Sequence, residues 1–438
     1  MRIAIFGTGY VGLVSGACFA EMGHEVTCVD IDQKKIEMLK NGHIPIYEPH
    51  LEEMVKRNQK AQRLSFTLDP VEAIQTASVI FVAVPTQSSQ TGDADLTHVF
   101  AVTDTLSEHL RKNTLVVIKS TVPVGTTHQV KEILNEKLQA QKKSFTVDVA
   151  FNPEFLKEGC AVLDFMKPDR IILGAEKEES IELLRSVYRA FTLSHDRMIV
   201  MKVNSAEMTK YAANVMLASR ISLMNEFANL CEKVGASIHD VRIGIGSDSR
   251  IGYQFLYAGA GYGGSCFPKD IKALKALCAH NHCESDILDA IEAVNARQKM
   301  VLFHKLQNHF KDLKGKVITL LGLSFKPDTD DIREAPSLVL IELLIKAGCS
   351  LKLYDPASME HVKKLFPTSL HLTYEKDEYA ALTHSDAFVL VTEWKQFRHL
   401  NFEKIYSLMK TRVIFDGRNQ YSKNEMTHLG FKYFGIGI

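Results

Sequence analysis

The chain has 438 residues, 46% hydrophobic and 24% charged, a balance typical of a water-soluble globular protein with two or three domains. Lysine plus arginine equal aspartate plus glutamate at 52 each, so bulk charge points to neither a nucleic-acid nor an anionic-membrane partner. No run is apolar enough to span a bilayer, no secretory signal overlies the N-terminus, and eight scattered cysteines without a CxxC pair suit reduced thiols in the cytoplasm.

The first predicted element is the strand "RIAIF", followed at once by "GTGYVG" and a helical stretch. Gly7, Gly9 and Gly12 stand in GxGxxG spacing, and the next strand, "EVTCVD", ends at Asp30. In that context the first glycine allows a tight turn, the second lets backbone approach a pyrophosphate, and the third lets helix pack on strand. A carboxylate at Asp30 would bond a ribose hydroxyl and repel a 2′-phosphate, which favours NAD over NADP. Lys35, a few residues on, can reach the adenosine side.

Further strands follow in "SVIFVAV", "TLVVIKS", "VDVAFN", "RIILGA" and "RMIVM". Strands apolar throughout, separated by amphipathic helices, predict a parallel sheet covered on both faces. "KSTVPVGT" sets Ser120 and Thr121 at a strand end, suited to hydrogen bonding near a nicotinamide or a water. "FNPEFLKEG" sets Glu154 and Glu158 just past another strand, where α/β sheets carry their ligands. Either glutamate can act as an acid–base group or simply as an acid at a helix start.

From Asn204 to Val234 the apolar residues keep helical spacing without proline or glycine, which predicts a helix about 45 Å long. Asn204 with Glu207 resembles a capping box, and Gly235 marks the stop. An apolar side face would suit a dimer partner. Lys210 and Asn214, four apart, share a face, where a cation and an amide can stabilise an alkoxide or a tetrahedral oxyanion.

"GAGYGGSCFPKD" then places Cys266 in a glycine loop before a predicted helix. Amides of that helix, together with Lys269, would favour a thiolate. Oxidation of an alcohol by NAD does not require a thiol. A thiolate becomes useful when an aldehyde product is oxidised again, through a thiohemiacetal and a thioester, to a carboxylate. In "CAHNHCE", Cys278, His280, His282 and Cys283 lack a second ligand cluster and are read as a polar helix end, so no metal is expected.

A second α/β series follows residue 315: "KVITLLGLSF", "LKLYD", "DAFVLVTEW" and "RVIFDGR". It has Gly322 and Ser324 after its first strand but no third glycine. The expected architecture is two Rossmann-like, doubly wound parallel-sheet domains joined by a long central helix. The expected divisions are an NAD domain over 1–202, a helical connector and dimerisation domain over 203–310, and a substrate domain over 311–438.

The segments "GTGYVGL", "STVPVGT", "NPEFLKEG", "KYAANVMLASRIS", "GIGSDSRIG", "GYGGSCFPKD", "GLSFKPDTDDIRE" and "FDGRN" occur in this order along the whole chain. With them the chain resembles the UDP-glucose/GDP-mannose dehydrogenase family, in its UDP-glucose branch, whose members oxidise nucleotide sugars to uronates. The resemblance implies that Cys266 is the nucleophile and that Lys210, Asn214 and Asp270 surround the reacting carbon. Thr121 and Glu154 would position water or transfer protons. Gly7, Gly9, Tyr10, Val11, Gly12, Asp30 and Lys35 would hold NAD, with Ser120, Thr121, Glu158, Lys269 and Arg333 also on the cofactor. UDP-glucose would lie against Glu154, Phe155, Leu156, Lys210 and Asn214. Phe255, Tyr257, Gly259, Gly263, Lys326 and Arg418 would complete its site, and Arg250 would reach in from the second subunit of a homodimer.

Within the resemblance, GDP-mannose and UDP-N-acetylmannosamine are alternative substrates, because pocket shape carries that choice. Outside it, a β-hydroxyacid-type dehydrogenase would share the NAD fold, the long helix and a Lys-x-x-x-Asn pair, but would transfer one hydride. A non-catalytic NAD-binding redox sensor would leave Lys210, Asn214 and Glu154 without a role. The identity of the first base, Lys210 or a water held by Asp270 and Thr121, stays open. A charged, oxyanion-stabilising Lys210 is favoured.

Overall fold

The computed structural model describes residues 1–87, 89, 92–192 and 195–438. The chain divides into two units. The first comprises 1–213 with 272–281, and the second comprises 214–271 with 282–438.

In the first unit, eight strands form one sheet in the order β3-β2-β1-β4-β5-β6-β7-β8. They are β1 Arg2–Phe6, β2 Glu25–Val29, β3 Leu64–Thr67, β4 Val79–Val82, β5 Leu115–Ile118, β6 Val149–Phe151, β7 Ile171–Gly174 and β8 Met198–Met201. The pairings are parallel except β6 with β7, which meet antiparallel at Phe151 and Gly174. Strand alternation explains the two cores. Ile3, Ile5, Val79, Phe81, Leu115 and Val117 face one layer of helices, while Ala4, Phe6, Ile80, Val82, Val116 and Ile118 face the other. Burying each large side chain contributes roughly 1.5–3 kcal/mol, so both faces drive the sheet to the interior.

The second unit repeats the plan with six parallel strands in the order β11-β10-β9-β12-β13-β14. These are β9 Val317–Leu321, β10 Ser350–Tyr354, β11 Leu372–Tyr374, β12 Ala387–Leu390, β13 Val413–Asp416 and β14 Lys432–Phe434. This is the order of a Rossmann sheet. The structure adds β3, β11 and β14 to the expected strands. All three are short, and each has a single strand neighbour, so their sequences carry little of the continuous apolar run that marks a central strand.

The long helix runs from Val203 to Val234, begins in the first unit and continues in the second. Gly235 ends it at a φ of +74°, as expected. The capping box does not form, because the helix has already begun at Val203. The buried Glu207 carboxylate instead accepts from the amides of Gly125 and Thr127 and from the Thr127 hydroxyl, which caps the helix Thr126–Ala140. Burial pushes the Glu207 carboxyl above its ordinary range, and those hydrogen bonds only partly offset it.

Candidate active site

In the first unit the dinucleotide turn has the geometry its glycines predict. Gly7 has a φ of +98°, and a Cβ there would stand 2.4 Å from the Ala83 carbonyl oxygen; one on Gly12 would stand 2.0 Å from that of Gly7. Over Gly9 there is open space, at the start of the helix Tyr10–Glu21, where the macrodipole favours an anion. Tyr10 is bound through its hydroxyl to the buried Glu48 carboxylate, while Val11 is half-buried against the adjoining core.

Asp30 follows β2. One of its carboxylate oxygens accepts from the Thr8 amide and hydroxyl, each at 2.7 Å, and the other accepts from the Asp32 amide at 3.0 Å. Burial opposes its charge, but the Thr8 and Asp32 donors and the Lys35 ammonium prevail and hold the carboxyl below its ordinary range. Lys35 also lies 4.0 Å from Asp32. An ionised Asp30 beside an open helix N-terminus fits NAD. Glu158 is half-buried on the loop after β6.

The ends of β5 and β6 carry the next group. The Ser120 hydroxyl donates 2.7 Å to the Val84 carbonyl, and the Thr121 carbonyl accepts from the Thr86 hydroxyl at 2.8 Å, which fixes that loop. Glu154 is buried. One of its carboxylate oxygens accepts from the Leu156 amide at 2.6 Å, and the other lies 2.8 Å from Lys210 Nζ. The same ammonium donates 2.7 Å to the Glu154 carbonyl. Burial disfavours the Glu154 charge, yet the Lys210 ammonium outweighs it and keeps the carboxyl below its ordinary range. Lys210 as placed thus donates to both the carbonyl and the carboxylate of Glu154. Phe155 has two cations near its ring, with the Arg170 guanidinium 3.8 Å and Lys210 Nζ 5.3 Å from the ring centre.

Sequence reasoning missed Lys119 and Asn152. Lys119 is only 3% exposed, and its Nζ donates 2.9 Å to Asn152 Oδ1. The one available signal was a lysine closing the apolar run "TLVVIKS" next to Ser120.

In the second unit, the half-buried Cys266 stands immediately before the helix Phe267–His280. Its carbonyl accepts the Asp270 amide at 2.9 Å, and its Sγ is 3.6 Å from Ser265 Oγ. The thiol therefore occupies a helix N-terminus, a position that favours an anion. Lys269 Nζ lies 2.6 Å from Asp270 Oδ1, so its ammonium serves that carboxylate. Asn214 Nδ2 donates to the other oxygen of Asp270 at 2.5 Å.

The glycine loop before Cys266 is pinned from several sides. Gly259 donates to Asn225 Oδ1 at 2.8 Å and accepts from Gln298 Nε2 at 2.6 Å, while Asn295 bonds both the amide and the carbonyl of Tyr262. Gly263 lies against the Glu334 backbone, and Gly264, at a φ of +86°, packs on the Phe325 ring and donates to the Arg333 carbonyl at 2.8 Å. A thiol on such a loop has a fixed address.

Lys326 Nζ lies 5.6 Å from the centre of the Phe325 ring. Arg418 donates 2.7 Å to the Val391 carbonyl and 3.3 Å to that of Gly261, which ties the end of β13 to the glycine loop. Phe255, at a φ of +59°, meets Phe267 edge-on, and the exposed Tyr257 ring lies under the Arg242 guanidinium at 4.0 Å. Arg250 and Arg333 are exposed and each pairs with an aspartate two residues earlier, Asp248 at 2.6 Å and Asp331 at 2.7 Å.

The second sheet also shows why it is no copy of the first. Gly322 stands after β9 as Gly7 does after β1, and Asp355 follows β10 as Asp30 follows β2. Asp355, however, is fully buried. It takes the amides of Leu323 and Ser324 and the Trp394 indole N–H, so it is no surface acceptor for a ribose. Among the described residues no helix is long and apolar enough to cross a membrane, and no group of three or more His, Cys, Asp or Glu is placed to hold a metal ion.

Three family models match the chain in order. They are the NAD binding domain of the UDP-glucose/GDP-mannose dehydrogenase family over residues 1–192, its central domain over 204–297 and its UDP binding domain over 319–423. A UDP-glucose 6-dehydrogenase of Pseudomonas aeruginosa is 49% identical over all of this chain and 97% of its own length. A solved UDP-glucose dehydrogenase from Pyrobaculum islandicum superposes with a TM-score of 0.90 at 35% identity, over 99% of this chain and 97% of that one. A UDP-D-ManNAc dehydrogenase structure from Pyrococcus horikoshii superposes with a TM-score of 0.86 at 27% identity, over 100% and 99% of the two chains.

Proposed function

The chain belongs to the UDP-glucose/GDP-mannose dehydrogenase family, and from that premise we propose that it oxidises C6 of UDP-glucose from alcohol to carboxylate in two steps. The observation that carries this reading is Cys266 held at a helix N-terminus beside an Asp270 carboxylate that Asn214 and Lys269 fix on both oxygens. When bound, NAD supplies the hydride acceptor for each oxidation.

The residues of the chain do the rest. In the first oxidation the hydroxyl proton passes to a water held by Asp270 and Thr121, while the Lys210 ammonium and the Asn214 amide stabilise the alkoxide. In the second, Cys266 Sγ adds to the aldehyde carbon and the same two donors face the resulting oxyanion. Loss of hydride from that thiohemiacetal leaves a thioester. Water then attacks the thioester carbon, Glu154 takes its proton, and the C–S bond breaks to release the acid and the Cys266 thiolate. A β-hydroxyacid-type reaction would give the thiol no role.

The dinucleotide is held by Gly7, Gly9, Tyr10, Val11, Gly12, Asp30 and Lys35, with Ser120, Thr121, Glu158, Lys269 and Arg333 toward its other end. The nucleotide sugar is taken by Glu154, Phe155, Leu156, Phe255, Tyr257, Gly259, Gly263, Lys326 and Arg418. The divisions 1–202, 203–310 and 311–438 serve as cofactor, connecting and UDP-sugar domains.

The functional form is a homodimer built on the long helix. Met216, Leu223, Phe227, Leu230 and Val234 make an exposed apolar stripe along it, a face suited to a second helix. Arg250, 87% exposed at its side chain, would reach the second subunit's sugar. Eight scattered cysteines without a CxxC pair suit the cytoplasm.

The test is NADH formed per UDP-glucose consumed, with limiting sugar and excess NAD. Two NADH with release of acid supports the thioester route, and Cys266→Ser should then retain nucleotide binding and lose acid formation on the order of a thousandfold. One NADH per sugar overturns it. If UDP-glucose gives none, a ratio of two with GDP-mannose or UDP-N-acetylmannosamine would replace the substrate and leave the chemistry.

A further inference from the structure

Lys119 is a buried cation that the proposed chemistry does not use. Burying an ammonium costs several kcal/mol unless its surroundings compensate, so an idle lysine here would be a liability. Its Nζ donates to Asn152 Oδ1 at 2.9 Å, reaches the Tyr188 hydroxyl at 3.5 Å and stands 5.6 Å from the centre of the Phe165 ring. Asn152 in turn donates 2.9 Å to the Ile172 carbonyl on β7. Lys119 directly follows β5, one residue before Ser120 and two before Thr121, and Asn152 directly follows β6, two residues before Glu154.

We infer that Lys119 is a positioning residue for the proposed reaction: held on Asn152, its ammonium fixes the loop bearing Ser120 and Thr121 to the loop bearing Glu154, and it shares with Lys210 the electrostatic control of the Glu154 carboxylate. This rests on the reading of Glu154 as the group that takes a proton from water. Two cations act on one buried carboxylate. Together they keep Glu154 ionised, hence able to take a proton, and favour an oxyanion near Lys210.

Other charged groups approach Lys119 from each neighbouring element. Glu154 and Lys157 come from the loop after β6, Lys210 from the long helix and Asp164 from the helix Ala161–Met166, all but Lys210 lining with Lys119 a cavity of about 170 Å³. Lys167, Asp169 and Arg170 line it from the segment before β7, and Tyr188 from the helix Glu178–Tyr188. Lys157 and Asp164 pair with each other at 3.2 Å, and burial keeps the Tyr188 phenol protonated. Burial pulls the Lys119 ammonium down to about 8, with Glu154 pushing it up and Lys210 pushing it further down. The charge is therefore lost in mildly alkaline solution.

The experiment is the pH profile of kcat/KM for UDP-glucose between pH 6.5 and 9.5, on the full-length protein with saturating NAD, for wild type, Lys119→Arg, Lys119→Met and Glu154→Gln. The inference expects a wild-type fall of about tenfold centred near pH 8. Lys119→Arg, charged throughout, keeps its plateau to pH 9.5. Lys119→Met is reduced about tenfold already at pH 7 and is flat through pH 8. A merely structural lysine would not move the limb. A fall near pH 8 that persists in Lys119→Arg, with Glu154→Gln inactive, overturns the inference alone. A Glu154→Gln enzyme that makes acid at the wild-type rate overturns the reading of Glu154 and the inference with it. Should Lys119→Met fold poorly, the arginine variant carries the test.

Discussion

Lys210 Nζ sits 2.8 Å from Glu154 Oε1 and 2.7 Å from the Glu154 carbonyl oxygen, with both side chains buried. One ammonium thus joins the long helix to the loop after β6. Removing it takes the nearest cation away from a buried carboxylate.

Lys210→Ala is accordingly expected to destabilise the protein by about 3–5 kcal/mol at neutral pH, the cost of orphaning one member of a buried pair. The pair lowers the folded Glu154 pKa, so its contribution is complete above the ordinary 4.5 and disappears as the pH falls through the lower folded value. Urea midpoints of wild type and variant should therefore converge in acid. A gap that is equally wide at pH 7 and below the folded pKa would contradict the ionic account.

Asp30→Ala removes a charged acceptor from the dinucleotide site. A hydrogen bond to a charged group contributes about 1.5–3 kcal/mol, so KM for NAD should rise roughly ten- to hundredfold while KM for NADP stays level or falls. Unchanged discrimination between the two cofactors would remove Asp30 from the ribose.

Lys119→Met is expected to stabilise the fold while it slows the reaction. Because the folded lysine titrates near 8 and the unfolded one near 10.5, the unfolded chain binds the extra proton between those values. Wild-type stability from this group consequently rises across that window. The advantage of the methionine variant should be greatest below pH 8 and shrink toward 10.5, measured by denaturant unfolding. A methionine variant that is less stable at pH 7 would mean that the Asn152 bond outweighs the cost of burying the charge.

Leu223→Asp with Phe227→Asp places two charges on the exposed stripe of the long helix. If the stripe is a dimer face, sedimentation should show the parent as a dimer and the double variant as a monomer, at unchanged helix content. A monomeric parent at micromolar concentration would remove the dimer from the proposal.

The cofactor turn was legible because its chemistry is local. Gly7, Gly9 and Gly12 are defined by spacing, and Asp30 by its place after the next strand. The loop position of the thiol was legible for a similar reason: glycines before Cys266 and proline after it argue against a regular strand or helix interior. Capping by Glu207 was misread, because its partners lie at Gly125 and Thr127, about eighty residues away. Asp355 shows the same limit from the other side. Its strand position matches that of Asp30, and only the donors at Leu323, Ser324 and Trp394 show that the carboxylate faces inward.

The sequence by itself determined two α/β sheets, a long helix, one dinucleotide fingerprint and a thiol in a glycine loop, since apolar period, glycine spacing and turn chemistry act over a few residues. The charge states of the site were decided by tertiary structure alone. Glu154 is ionised because Lys210, from a different element, is brought to its side in a buried place; Lys119 gives up its proton near pH 8 because β5 ends inside the protein rather than at its surface. Desolvation and Coulomb energy depend on distance through space and on the exclusion of water, and neither is encoded in the spacing of residues along the chain.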